Sequence, residues 1–125
     1  MTILNNEKGE DQNFAVVVED DVIKYKVANV VDEKEFERLM NIGTRVVNES
    51  IAPLVLFDFN KVENFSLKTR ASWIRFLKSS QIKKVAIFGC NHFIKTAIFF
   101  LIKTINKKNV CVFINEEEAL IWFKS

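Results

Sequence analysis

Residues 84–114 have the sequence KVAIFGCNHFIKTAIFFLIKTINKKNVCVFI, which contains one complete strand–helix–strand unit. The runs Lys84–Gly89 and Val110–Ile114 are short and almost entirely apolar, as is typical of strands that are covered on both faces. The span between them, about 91–106, has the length of a helix of about four turns. Two buried strands joined by a helix predict a right-handed crossover within a parallel sheet.

Three more strands are predicted on the N-terminal side of this unit. Leu54–Phe59 has the sequence LVLFDF and is apolar except for Asp58, so we expect it to lie in the centre of the sheet. The β-branched run Phe14–Val18 and the alternating run 22–27 are separated by a short acidic turn. This pattern predicts an antiparallel β-hairpin.

Helices are predicted between and after these strands. Asp32 is placed to cap a helix that ends near residues 48–50, and Ser66 is placed to cap a second helix over about Leu67–Ser80. Three glutamates open a short last helix at Glu116–Phe123, where the helix dipole favours negative charge. The predicted order of elements is ββαβαβαβα, which is an α/β fold with a mostly parallel sheet and an antiparallel hairpin at one edge.

The composition is that of a single soluble domain. The chain has 125 residues, of which 49% are hydrophobic and 27% are charged. We expect the domain to cover residues 13–125, with residues 1–12 forming a flexible tail or a weak edge strand. The longest apolar run, Ala97–Ile102, is too short to cross a bilayer. Two cysteines and the lack of a signal-peptide pattern favour a cytoplasmic protein without a disulfide.

Positive charge is concentrated in the middle of the chain. Residues 61–108 contain eleven lysines and arginines and a single acidic residue, Glu63. We interpret these as solvated charges on outer helix faces, because the sequence has neither a helix-turn-helix signature nor the aromatic–glycine motif of RNA-binding sheets. The sequence therefore predicts no nucleic-acid partner. The isolated glycines and the single histidine predict no nucleotide cradle, no metal site and no other cofactor.

Three segments carry a family resemblance. They are residues 54–73 (LVLFDFNKVENFSLKTRASW), 83–103 (KKVAIFGCNHFIKTAIFFLIK) and 110–123 (VCVFINEEEALIWF). Together they resemble the small stand-alone bacterial SpoIIAA-like proteins of the STAS superfamily, over roughly residues 14–124. The resemblance implies a four- or five-stranded sheet with helices packed mainly on one side, and a regulatory role through protein contact. Some looser relatives resemble CRAL-TRIO-type domains, which hold apolar ligands between sheet and helices.

The better-known members of that superfamily are switched by phosphorylation of a serine in an Asp-Ser-Ser-Gly turn. That turn follows the strand that matches LVLFDF in this chain. Here residues 65–69 read FSLKT, which lacks the motif but offers hydroxyl groups at Ser66 and Thr69. The candidate switch region therefore comprises Asp58, Ser66, Thr69 and Arg70.

Arg70 falls on the apolar side of its predicted helix. A buried guanidinium is usually paired, so we expect an ion pair with Asp58 or Glu63. The alternative is that Arg70 binds an anion, since Asp58 ends a strand at the edge where α/β folds place their ligands.

The helix predicted over 91–106 is apolar around most of its circumference. Ala97–Ile102 winds through more than one turn, whereas a helix that lies on a sheet buries only part of its surface. Four interpretations remain for the apolar surface of this helix that the sheet does not cover. It is covered by the last helix, by a second copy of the chain, or by an apolar ligand or membrane surface, or else it is core within one chain. The predicted ligand or partner surface consists of Trp73, Phe76, Phe93, Phe99, Phe100 and Ile102.

The sequence predicts a non-enzymatic binding or regulatory module that acts through protein contact. A homodimer is one of the arrangements that this prediction includes. The alternative function is a carrier or sensor of an apolar small molecule or lipid held between sheet and helices. A third hypothesis is an enzyme that uses Cys90 and His92, because a thiol near a helix N-terminus is open to activation. No carboxylate is placed in sequence to orient His92, so no catalytic residue is predicted.

Overall fold

The computed structural model describes residues 2–3, 14–19, 21–27, 41, 44–45, 47–49, 53–62, 70–78, 82–106 and 108–125. Six strands form one sheet in the order of the chain. They are β1 (Thr2–Ile3), β2 (Phe14–Glu19), β3 (Val22–Val27), β4 (Leu54–Asp58), β5 (Lys84–Phe88) and β6 (Val110–Phe113). The helices are α1 (Arg70–Leu77), α2 (His92–Ile105) and α3 (Glu116–Phe123). Residues 41, 44–45 and 47–49 are also helical, in the region of the first predicted helix.

The sheet is mixed, which confirms the predicted α/β class. β1, β2 and β3 pair in antiparallel fashion, whereas β3, β4, β5 and β6 are all parallel. Asp21 has a φ of 66°, the left-handed conformation that a tight hairpin turn between β2 and β3 requires. Two residues of the predicted tail, Thr2 and Ile3, pair with β2 as an edge strand, and the rest of residues 1–12 lies outside the described residues.

The three parallel strands after the hairpin each end one residue earlier than predicted. Gly89 has a φ of 80°, so the backbone turns away directly after Phe88. The prediction of a fully buried strand over 110–114 is wrong beyond its first residue, because Cys111, Val112 and Phe113 are half-buried and Ile114 lies beyond β6 and is 77% exposed. The physical reason is position: β6 is the last strand in the sheet order, so only one neighbour covers it.

The two faces of the sheet carry different helices. Side chains alternate along a strand, so Val55 and Phe57 point to one face of β4 and Leu56 points to the other. The face of Val55 and Phe57, here called the major face, packs against α1, α2 and the helical residue Val47. The face of Leu56, here called the minor face, packs against α3. Crossovers between successive parallel strands have one hand, which places the connecting helices α1 and α2 on the same face.

Two lysines of the sheet hold α3 on the minor face. Lys24 of β3 donates to the Glu116 carboxylate at the N-terminus of α3, with 2.6 Å between Nζ and Oε2. Lys84 of β5 donates to the carbonyl oxygen of Trp122 at 2.8 Å, and its Nζ lies 4.9 Å from the centre of the Trp122 ring. Each contact places the charge that the helix dipole favours at that end. The orientation of α3 on the sheet is therefore fixed at both ends.

Candidate functional site

α2 presents one face to the sheet and an unusually apolar face to the outside. Ile94, Ile98, Leu101 and Ile105 are buried against the major face, at the spacing of one helical stripe. On other sides of the same helix, Phe93 is 83% exposed, Phe99 50% and Phe100 63%. We call these three phenylalanines the aromatic face of α2.

The exposed area of the aromatic face is large for a protein of this size. A buried aromatic side chain covers 150–250 Å², so the three rings together expose roughly 300–500 Å². The largest apolar patch on a typical monomer has a similar size and is often functional. An open groove of about 470 Å³ runs beside Phe99 and Phe100, and half-buried Ile102 contributes to its lining with Thr96 and Lys103.

The hydroxyl groups on the outer side of α2 bond to its own backbone, whereas rings and ammonium groups are exposed. The hydroxyl of Thr96 donates to the His92 carbonyl oxygen, and that of Thr104 donates to the Phe100 carbonyl oxygen. Lys95 and Lys103 are exposed, and the Nζ of Lys95 lies 5.8 Å from the centre of the Phe99 ring. The aromatic face is thus bordered by positive charge.

Trp73 and Phe76 do not lie on this surface. Trp73 is 1% exposed and Phe76 is 5% exposed, both within the major-face core. The Trp73 ring packs edge-on against Phe57 with 4.9 Å between ring centres, and Phe76 packs against Tyr25 at 5.7 Å. The apolar side of α1 is therefore covered by β3 and β4. Of the predicted surface, the structure brings together Phe99, Phe100 and Ile102 along the groove, and Phe93 is exposed on the same helix.

The predicted switch region is described only in part. Asp58 accepts hydrogen bonds from the backbone N–H of Asn60 at 3.0 Å and from its side-chain amide at 2.9 Å. Asn60 in turn lies against Gly89, where a Cβ atom would come within 2.4 Å of the amide oxygen. Glu63, Ser66, Thr69 and the side chain of Arg70 lie outside the described residues, so the predicted Arg70 ion pair lies outside them too.

Cys90 and His92 lie in different surroundings, the thiol partly buried and the imidazole exposed. Burial raises the pKa of the Cys90 thiol to about 11, with nearby Lys95 acting in the opposite direction. The thiol is therefore protonated at neutral pH, which makes it a weak nucleophile. His92 is exposed and its ring packs against Phe93, with 6.2 Å between ring centres. In the described part of the chain, no group of three His, Cys, Asp or Glu side chains is arranged to hold a metal ion.

A second apolar surface, which the sequence reasoning missed, lies on the minor-face side of the molecule. Ile121 is 64% exposed and Leu120 is 36% exposed on α3, and Ile114 just before the helix is 77% exposed. Glu117 and Glu118 are exposed one turn before Ile121. We call these five residues the acidic face of α3. The feature of the sequence that could have indicated this surface is the adjacent pair Leu120 and Ile121. Neighbouring residues point to different sides of a helix, so a short helix on a sheet does not bury both.

The aromatic rings of the major-face core enclose one unsatisfied polar group. Tyr25 is 0% exposed, and its ring stacks on Phe57 with 4.8 Å between ring centres. In the described part of the chain, its hydroxyl has no hydrogen-bond partner. Burial raises the pKa of this phenol well above its usual value. A neutral donor is therefore present in the layer between sheet and helices.

Comparison with known proteins gives one family. A family model described as "Domain of unknown function (DUF7793)" matches residues 17–125. That range runs from within β2 to the last residue, so it includes both the aromatic face of α2 and the acidic face of α3. No curated protein matches the chain. Within the described ranges, no helix has the length and apolar character needed to cross a membrane.

Proposed function

The chain belongs to the DUF7793 family, whose description assigns no activity, and we propose that it is a non-enzymatic binding module that acts through protein contact in the cytoplasm. The docking surface is the aromatic face of α2. The observation that carries this proposal is the exposure of Phe93, Phe99 and Phe100 on a helix that is otherwise well packed. Exposed rings are enriched at the centres of protein interfaces, and they are rare on surfaces without a partner.

The chemistry of the aromatic face favours one kind of partner. Lys95 and Lys103 are exposed within one turn of Phe99, on either side of it. A protein segment with an apolar stripe bordered by Asp or Glu satisfies both the rings and the ammonium groups. A purely polar segment would leave the rings exposed to water. A basic segment would place its positive charges next to Lys95 and Lys103.

The STAS-like, SpoIIAA-like assignment is part of the same proposal. It is supported by the sequence resemblance and by the order of parallel strands β3 to β6 with α1 and α2 on the major face. Because Asp-Ser-Ser-Gly is missing from the sequence, the proposed module does not depend on that phosphorylation motif. Its regulation acts instead through occupancy of the α2 surface.

A photo-crosslinker tests the docking surface directly. Benzoylphenylalanine at position 100 is compared with the same group at exposed Lys78, which follows α1. We expect a discrete protein adduct from position 100 alone, lost on addition of Phe93→Ser, and direct binding of the identified partner after purification. A lipid adduct would favour the carrier function, and no adduct from position 100 would overturn the proposal.

The carrier of an apolar molecule is a second candidate, and one observation favours it. The Tyr25 hydroxyl is a buried donor without a partner among the described residues, located between the sheet and the helices of the major face. A bound molecule with an apolar body and an oxygen acceptor would satisfy it. Mass spectrometry of the gently purified protein tests this function, because Tyr25→Phe would lower the amount of any such molecule retained.

A further inference from the structure

The acidic face of α3 has the chemistry that the aromatic face of α2 requires of a partner. Its apolar part is formed by Ile114, Leu120 and Ile121, each at least one-third exposed. Its charged part is formed by Glu117 and Glu118. In the described part of the chain the single ion pair is Lys24–Glu116, so these two carboxylates have no cation next to them.

The two faces are complementary in the spacing of their charged residues as well as in the sign of their charge. On α2, a lysine lies one turn before Phe99 and another one turn after it. On α3, two glutamates lie one turn before Ile121. Two helices packed with these faces together bury rings against aliphatic side chains and place ammonium groups beside carboxylates. By contrast, two α2 faces packed together would oppose lysine with lysine.

The two faces cannot meet within one chain, because they lie on opposite sides of the sheet. α2 covers the major face and α3 covers the minor face, and each presents its exposed residues away from the sheet. A contact between them therefore joins two molecules. In such a pair, one copy keeps a free α3 face and the other keeps a free α2 face.

We propose that the partner on the aromatic face of α2 is the acidic face of α3 in a second copy of the chain. The inference rests on the proposed function and names its partner. The contact is heterologous, so it is head-to-tail and leads to open chains or closed rings rather than to a two-fold dimer. Each face exposes only a few hundred Å² of apolar surface, which is less than a stable interface buries, so assembly depends on protein concentration.

Mixing two single variants tests the head-to-tail arrangement. Phe100→Ser removes a ring of the α2 face and Ile121→Ser removes the centre of the α3 face. Both residues are more than 60% exposed, so neither change disturbs the core. In sedimentation velocity we expect self-association of each variant to weaken at least tenfold. An equimolar mixture then forms a one-to-one heterodimer, through the intact α2 face of one variant and the intact α3 face of the other.

A charge-reversal pair gives an independent readout. Chains with Lys95→Glu and Lys103→Glu carry two acidic faces, whereas chains with Glu117→Lys and Glu118→Lys carry two basic faces. We expect neither chain to associate alone, and we expect the mixture to assemble further than a dimer, because both kinds of contact are then complementary. Circular dichroism of each chain checks that α2 and α3 still fold.

The outcomes separate this inference from the proposed function. Self-association of Ile121→Ser at the unaltered strength would overturn the head-to-tail contact and favour a symmetric α2 dimer. A chain that remains monomeric at high concentration would also overturn the inference. In either case an adduct between position 100 and a different protein would still support the α2 docking surface, whereas the absence of any adduct would remove both.

Discussion

The Tyr25 hydroxyl provides the sharpest test of how the major-face core is built. Tyr25 lies on β3 with 0% exposure, stacked on Phe57 and in edge contact with Phe76, and no residue in the described ranges pairs with its hydroxyl. Tyr25→Phe removes that oxygen and keeps every ring contact. Because the oxygen loses its water on folding and gains no hydrogen bond, we expect the substitution to stabilise the protein.

The expected gain follows from the desolvation of one hydroxyl. An unsatisfied buried polar group costs about 1–3 kcal/mol, so Tyr25→Phe is expected to raise the free energy of unfolding by about that amount. For a chain of this length, that corresponds to an increase in Tm of roughly 4 °C per kcal/mol. Tyr25→Leu is the matched control, because it also removes the hydroxyl but loses both ring contacts, and we expect it to be less stable than Tyr25→Phe by about 1–3 kcal/mol.

Urea titration of protein refolded from denaturant measures these differences, with the fluorescence of Trp73 and Trp122 as the signal. An unchanged or lower free energy of unfolding for Tyr25→Phe would refute the reasoning, because it would mean that the hydroxyl has a partner in solution. If the substitution stabilises refolded protein but destabilises gently purified protein, the partner is a bound molecule. That outcome would favour the carrier function.

Urea titration also tests three local features of the fold, at Cys90, Lys84 and Gly89. The free energy of unfolding should fall as the pH rises from 9 towards 11, because the unfolded Cys90 thiol ionises near pH 9 and burial raises its folded pKa to about 11. Cys90→Ala should reduce that fall without abolishing it, because burial also raises the pKa of Cys111 and of Tyr25. Lys84→Met should cost about 1–2 kcal/mol through the lost contacts with Trp122, whereas Lys78→Met should be neutral. Gly89→Ala should lower the free energy of unfolding by about 2 kcal/mol, because φ is 80° and Asn60 occupies the Cβ position. An unchanged free energy of unfolding would contradict this explanation.

The sequence was sufficient for β2 to β6 and their mostly parallel order, because each has a hydrophobic pattern typical of a buried or half-buried strand. It was not sufficient for the placement of α3. The handedness rule fixes the side of a helix that connects two parallel strands, and α3 does not lie between two of the described strands. Its place on the minor face depends on Lys24 and Lys84, whose partners are 92 and 38 residues away in the chain.

The candidate surface was predicted in part for a similar reason. The excess of apolar residues on α2 can be counted from the sequence, and Phe99 and Phe100 are exposed as that count requires. Trp73 and Phe76 lie on the apolar side of α1 and were predicted as surface residues on that basis. The aromatic side chains of β3 and β4 cover them. Periodicity identifies the apolar side of a helix, and only the tertiary structure decides whether that side is covered.

Both exposed helices are capped and anchored by hydrogen bonds within the chain. α2 is capped by Asn91, whose side chain accepts from the backbone of Ile94, and ends at Asn106 in a left-handed conformation. α3 is capped by Asn115 and is anchored by Lys24 and Lys84. A preordered surface loses less conformational entropy on binding, so a small apolar area leaves a larger net affinity. Loosening α3 with Lys84→Met should therefore weaken head-to-tail assembly even though Lys84 lies outside both faces.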